Sequence, residues 1–188
     1  MNVWAGVDVG GRRKGFHAAI VDEHRLVGGP VRLTTVDRVV AWFSELAPAL
    51  VAVDSPRRPA PDGLRSRPEE RALAAAICGI RYTPAAARLA GNPYYEWIRH
   101  GLELYEALDA AGVPAVECFP TASWTRWSGR RGTTGRARWS AEALEALGLA
   151  GLPRRLGQDG RDAIGAALTA RCRDLGRWEA FGPIVVPA

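Results

Sequence analysis

Three times in this chain a short apolar run ends on a carboxylate and meets glycine or proline almost at once. The stretches are "VWAGVDVGG" around Asp8, "ALVAVDSP" around Asp54 and "VPAVECFP" around Glu117. Runs this short and this rich in valine read as strands rather than helices. The runs to Asp54 and Glu117 are continuously apolar, the pattern of parallel strands covered on both faces. In open α/β sheets, ligands gather beyond the carboxyl ends of such strands. The repeated acid therefore constrains the fold and the position of a site together.

The remaining segments fill in the layout. Residues 2–9 form the first strand, "GGRRKG" a turn and residues 16–22 a second strand. A third strand over 25–33 is expected to break at Gly28, Gly29 and Pro30. Short turns between them make an antiparallel meander. Over 35–47, Val36, Val39, Val40, Phe43, Leu46 and Ala47 recur at helical spacing behind Thr35, an N-cap residue. A Pro- and Arg-rich loop spans 57–68, and a helix runs from Pro68 to Gly79. A long amphipathic helix is expected over 93–112, with Tyr94, Ile98, Leu102, Tyr105 and Leu108 on its apolar face. An Arg-, Gly- and Trp-rich loop (126–138), a short helix capped by Ser140, a last long helix within 157–176 and an edge strand "PIVVP" complete the chain. The expected fold class is α/β: a mixed central sheet, three antiparallel strands plus parallel ones, flanked by helices. At roughly 150 residues per domain, residues 1–188 make one domain.

Composition narrows the function. The net charge is +5, and Lys14 is the only lysine among 25 basic residues. Such a balance favours a polyanionic partner, although arginine usage can also reflect codon bias. Cys78, Cys118 and Cys172 are widely spaced and form no CxxC. That argues against a zinc knuckle or a disulfide framework and suits a reducing cytoplasm. No apolar run reaches the ~18 residues of a membrane span. The oligomeric state, a homodimer among the options, is left open.

Asp8, Asp54 and Glu117 stand at strand ends, and Asp159 and Asp162 stand at the start of the last long helix. Singly, an aspartate before glycine or proline is a common turn residue, and Asp162 suits a helix N-terminus. Together, converging carboxylates repel one another and are costly to desolvate, a cost that a divalent cation removes. Hard oxygen ligands select Mg²⁺ or Mn²⁺, and two such ions can serve phosphodiester cleavage. On this reading Asp8, Asp54, Glu117 and Asp162 are catalytic ligands, with Asp159 a further metal ligand. Arg12, Arg13 and Lys14 beside Asp8 are expected to hold substrate phosphates or to neutralise the acids. Arg130 and Arg131 lie in the Arg/Trp segment, where arginines can track a phosphate backbone while aromatics stack on bases. Arg71, with Arg81, Tyr82 and Thr83, is expected along the same cleft. His17 either faces the site or is an ordinary strand histidine.

These pieces resemble the ribonuclease H-like superfamily: Asp8 on the first strand, an acid on the fourth, and "DGRDAIGAALTA" opening a late helix. The last stretch is similar to the D-x-x-D-A helix of Holliday junction resolvases. The ordered set "GVDVGGRRKGFHAAIVD", "VAVDSP", "CGIRYTP", "VECFPTASW" and "GRDAIGAALTAR" looks like the DUF429 family of predicted nucleases. The resemblance implies acids that bind two Mg²⁺ ions and hydrolyse phosphodiesters of nucleic acid. Arg57 and Arg58 after "DSP", and Glu69 and Glu70 in the basic segment, depart from the family pattern. Two alternatives stay open. "DVGGRRKG" superficially matches the phosphate hairpin of actin-like and sugar-kinase phosphotransferases, though those use two such domains. A non-catalytic nucleic-acid-binding module of the same fold is the other.

Overall fold

The computed structural model describes residues 2–188. The chain opens with three antiparallel strands, β1 (Trp4–Val9), β2 (Phe16–Val21) and β3 (Leu26–Leu33). β3 is not broken at its glycines; it stays one strand, and the irregularity appears as register shifts against β2 near Ala18–Val21. Helix α1 (Val36–Leu46) follows, with the Thr35 side chain accepting from the Arg38 amide, and leads into β4 (Leu50–Asp54). Then come α2 (Pro68–Ala76), a single-turn α3 (Ala86–Leu89), α4 (Glu96–Ala110) and β5 (Ala115–Cys118). The chain ends with α5 (Pro120–Ser128), α6 (Arg136–Ala146), α7 (Gln158–Asp174), β6 (Trp178–Phe181) and β7 (Ile184–Pro187).

One seven-stranded sheet has the order β3-β2-β1-β4-β5-β7-β6. β1, β4, β5 and β7 run parallel, while β2 and β3 on one side and β6 on the other are antiparallel to their neighbours. This is the mixed sheet expected. "PIVVP", however, is not the edge: β7 is buried between β5 and β6, and the short, partly exposed strand "WEAF" forms the border. No apolar run announces β6, because an edge strand can stay half exposed.

Alternation along β1 sorts the core into two layers. Trp4 faces a layer with Ala163, Ala166, Ala167 and Ala170 of α7, Trp124 of α5 and Trp139 of α6. Ala5, Val7 and Val9 face the opposite layer, with Val39 and Phe43 of α1 and Leu104, Tyr105 and Leu108 of α4. The small residues of α7 let it lie close on the sheet. At Gly6, on the α7 side of β1, a Cβ would collide with the backbone of Ala163 and Ala167. Pressed between sheet and outer helices, α7 is buried from Gly160 to Ala170.

Two expected boundaries shift. The Arg/Trp loop is shorter than expected: it spans 129–135, with α5 running to Ser128 as Trp124 packs fully buried against Gly165, and α6 starting at Arg136. Ser140 does not cap α6, which starts at Arg136. Its hydroxyl lies inside the helix, donating to the Arg136 carbonyl and accepting from Arg161. In α4 the apolar face omits Tyr94, which is exposed in a preceding 3-10 turn (Pro93–Tyr95). Among the described residues no helix is long and apolar enough to cross a membrane.

Candidate active site

The carboxyl ends of β1 and β4 lie side by side, with Asp8 paired to Asp54 in register. Both side chains continue the face that carries Trp4 and Ala52, toward α7. The first turns of α7 bring Asp159 and Asp162 over them. The result is a cleft of about 710 Å³ lined by Asp8, Asp54, Glu117, Asp159 and Asp162 along with basic and aromatic side chains.

The acids differ in what holds them. Asp162 is almost fully buried and heavily supported. Its Oδ1 accepts from Trp124 Nε1 (3.0 Å) and Gln158 Nε2 (3.0 Å), and its Oδ2 from Arg136 (2.9 Å). Asp8 Oδ2 takes a hydrogen bond from Lys14 Nζ at 3.1 Å, and the same ammonium meets Asp159 Oδ1 at 2.9 Å. Among the described residues Asp54 has no ion pair of its own; Arg136 and Lys14 act on it only from a distance. Burial pushes the Asp8 carboxyl up to about 6, with Lys14 opposing and Asp162 adding to the rise. Burial also pushes Asp54 well up, and the charges of Asp8 and Asp162 act in the same direction. The cluster thus carries more negative charge than its own cations balance.

Glu117 lines the cleft but does not join this cluster. Its register partner is Val53, not Asp54, so it continues the opposite face of the sheet. There Arg67, itself buried, grips both carboxylate oxygens, at 2.8 Å from Nη1 to Oε2 and through a second bond from Nη2 to Oε1. The Arg57 amide adds a third donor at 3.0 Å. Arg67 also reaches Glu70 (2.9 Å), which accepts from the Thr83 amide and hydroxyl. The sequence carried a clue. Asp54 stands two residues before Pro56, whereas Glu117 stands three before Pro120; Cys118 is the residue in phase with Asp54.

The basic residues expected at the site divide similarly. Lys14 enters the cleft and Arg131 lines it. Arg130 lines a smaller neighbouring pocket with Cys78 and Thr125. Arg12 turns away to Glu103 (2.9 Å), while Arg13 and Arg71 are exposed outside the cleft lining. Arg81 and Thr83 line the cleft; Tyr82 is exposed and does not. Sequence reasoning missed Arg67 and Arg136, whose roles depend on contacts 50 and 26 residues away. Arg57 and Arg58 are structural: Arg57 bonds both Asp109 oxygens and the Ala115 carbonyl, and Arg58 pairs with Glu69.

The glycine turn is not an open phosphate cradle. The amides of Gly10, Lys14 and Gly15 bond carbonyls within the turn, and the Arg12 amide bonds Glu96. His100 holds the Gly10 carbonyl at 2.8 Å from behind. Among the described residues, four buried side-chain atoms have no hydrogen-bond partner: Ser55 Oγ, Trp97 Nε1, Trp139 Nε1 and His17 Nδ1. The first three belong to residues lining the cleft. His17 Nδ1 lies 3.8 Å from Asp159, and Asp8, His17 and Asp159 each offer a ligand atom within 4.8 Å of the others. An unmet buried polar group costs about 1–3 kcal/mol; the four atoms are closed off from solvent, and the Ser55 hydroxyl lies against Gly101 of α4. Asp8, Asp54 and Asp162 line one cleft and suit a hard divalent cation in donor type and charge, while among the described residues only Asp8, His17 and Asp159 bring ligand atoms within 4.8 Å of one another.

No family model matches the chain, and no curated protein matches it. Among solved structures it is similar to RuvC of Thermus thermophilus, with a TM-score of 0.55 and 20% identity over 93% of this chain and 96% of that one. A T. thermophilus RuvC in complex with Holliday junction substrate aligns with a TM-score of 0.54 and 19% identity, over 94% and 97% of the two chains. Together with the mixed seven-stranded sheet, this likeness over nearly the whole of both chains shows that the protein has the ribonuclease H-like fold.

Proposed function

We propose that the protein is a divalent-metal-dependent nuclease of the DUF429 type, acting in the cytoplasm on nucleic acid. The observation that carries this reading is the in-register pair Asp8–Asp54 facing Asp162, an acid cluster short of positive charge at the carboxyl ends of parallel strands. The fold shared with a RuvC bound to Holliday junction substrate supports it. Asp8, Asp54 and Asp162 would hold Mg²⁺ or Mn²⁺, with Asp159 beside them. When bound, such an ion polarises a phosphoryl oxygen and lowers the pKa of water.

The chain's own groups orient the rest. Trp124, Gln158 and Arg136 fix the Asp162 carboxylate so that its position survives ion exchange. Arg81 and Arg131 line the cleft where a phosphodiester backbone would enter. Glu117, locked to Arg67, braces the loop before α2 against β5 and so shapes the wall opposite α7. The occupied amides of the glycine turn speak against the phosphotransferase reading.

The test is cleavage of labelled branched, duplex and single-stranded DNA and RNA with Mg²⁺, Mn²⁺ or EDTA. Cleavage is expected only with the metals. Asp54→Asn should lower the rate at least ~100-fold, since even residues behind metal ligands are worth 10–100-fold. An Asp54→Asn protein that cuts at the wild-type rate would sink the reading.

A further inference from the structure

The one lysine of the chain is in the acid cluster. Every other basic position, all 24 of them, is arginine. At position 14 the difference matters: an ammonium is a compact point charge, whereas a guanidinium is a broad planar fork. Lys14 Nζ lies 3.1 Å from Asp8 Oδ2 and 2.9 Å from Asp159 Oδ1, bridging two carboxylates as a metal ion does.

The approach is built into the hairpin. The Lys14 stem lies over Gly10, where a Cβ would collide with the side chain's Cβ, Cγ and Cδ. The strand-turn-strand backbone around it is pinned. Arg32 donates to the Lys14 carbonyl (2.8 Å) and the Arg13 carbonyl (2.6 Å), and His100 holds the Gly10 carbonyl. The ammonium is therefore aimed back at Asp8 and Asp159, although the side chain stays 42% exposed at the cleft mouth.

Charge decides what else the site can take. Asp8, Asp54, Asp159 and Asp162 bring four negative charges. Lys14 and Arg136, ion-paired within the group, bring two positive ones. Two negative charges remain, which one divalent ion balances and two would overshoot. Of the three N–H donors of an ammonium, two are spent on Asp8 and Asp159, and one is left to meet a phosphate oxygen.

Resting on the nuclease reading above, we infer that Lys14 is a tethered second cation: the site takes one divalent ion per chain, and the ammonium occupies the other cation position. The ion falls to Asp54, Asp162 and the Asp8 oxygen that Lys14 leaves free. The two-ion arrangement expected from the sequence becomes one ion plus one lysine.

The experiment is Mn²⁺ titration of the full chain by calorimetry, paired with electron paramagnetic resonance for spin-coupled Mn²⁺ pairs. Wild type is expected to bind one Mn²⁺ with no coupled-pair signal. Lys14→Gln is expected to bind two, with the coupled signal present. Because Lys14 is the only lysine, acetylating the folded wild-type protein removes the same side-chain charge without a refolding step, and it too should bind two. Two ions in untreated wild type, or one ion in all three samples, would overturn the role of Lys14 and leave the nuclease reading standing. No Mn²⁺ in any sample would overturn both.

Discussion

Asp54 is the most informative side chain in the cleft because no cation answers it directly. Its carboxyl is pushed up by burial and by Asp8 and Asp162, and Asp8 is pushed up to about 6 from an ordinary 3.8. A carboxyl raised on folding binds its proton more tightly in the native state. The stability it contributes is full below the unfolded value and is lost as pH rises through the folded one. In EDTA, therefore, thermal melts should give a higher Tm at pH 5 than at pH 7.5. Asp54→Asn should raise the Tm at pH 7.5 and flatten that difference. Mn²⁺ should stabilise wild type strongly at pH 7.5 and little at pH 5, since ligands must be deprotonated to bind. A wild-type profile in EDTA no steeper than that of Asp54→Asn would count against an uncompensated acid cluster.

Strand phase separates Glu117 from the other acids. One residue along β5 turns a side chain to the other face of the sheet, and Glu117 is that one residue away from Asp54. Facing α2, it belongs to a buried network with Arg67, Glu70 and Thr83. Glu117→Gln should keep wild-type Mn²⁺ affinity by calorimetry. Arg67→Ala strands two buried carboxylates and should cost about 3–5 kcal/mol, a fall in Tm of about 10 °C. Loss of Mn²⁺ binding in Glu117→Gln with an unchanged Tm would return Glu117 to the metal. The phase was readable from the spacing to Pro56 and Pro120, whereas Arg67 was not, because nothing local marks an arginine whose partner lies 50 residues on. Helix α5 and the first turn of α6 were also obscured. Their arginines and glycines suggest a loop, which is real only over 129–135, and the burial of Trp124 against α7 holds α5 in place.

In the assembled molecule, the sheet order carries the function. Strands that are distant in sequence, β1 and β4, become neighbours, and α7 crosses over their ends. The apolar runs made the parallel strands legible, and the small-residue pattern "DAIGAALTA" made α7 legible. The border strand β6 and the place of β7 inside the sheet were hidden, since pairing order leaves no local mark. The net charge of +5 and the arginines of the cleft should give the proposed nucleic-acid binding a salt dependence. Arg131→Ala should weaken binding across sequences and reduce the slope of log K against log salt by about 1. An unchanged slope in a filter-binding series would place Arg131 off the phosphate path. The proposed activity depends on three aspartates holding an ion. Anomalous diffraction from a Mn²⁺-soaked crystal should place a peak among Asp8, Asp54 and Asp162. A peak at Glu117, or none in a soak that supports cleavage in solution, would contradict it.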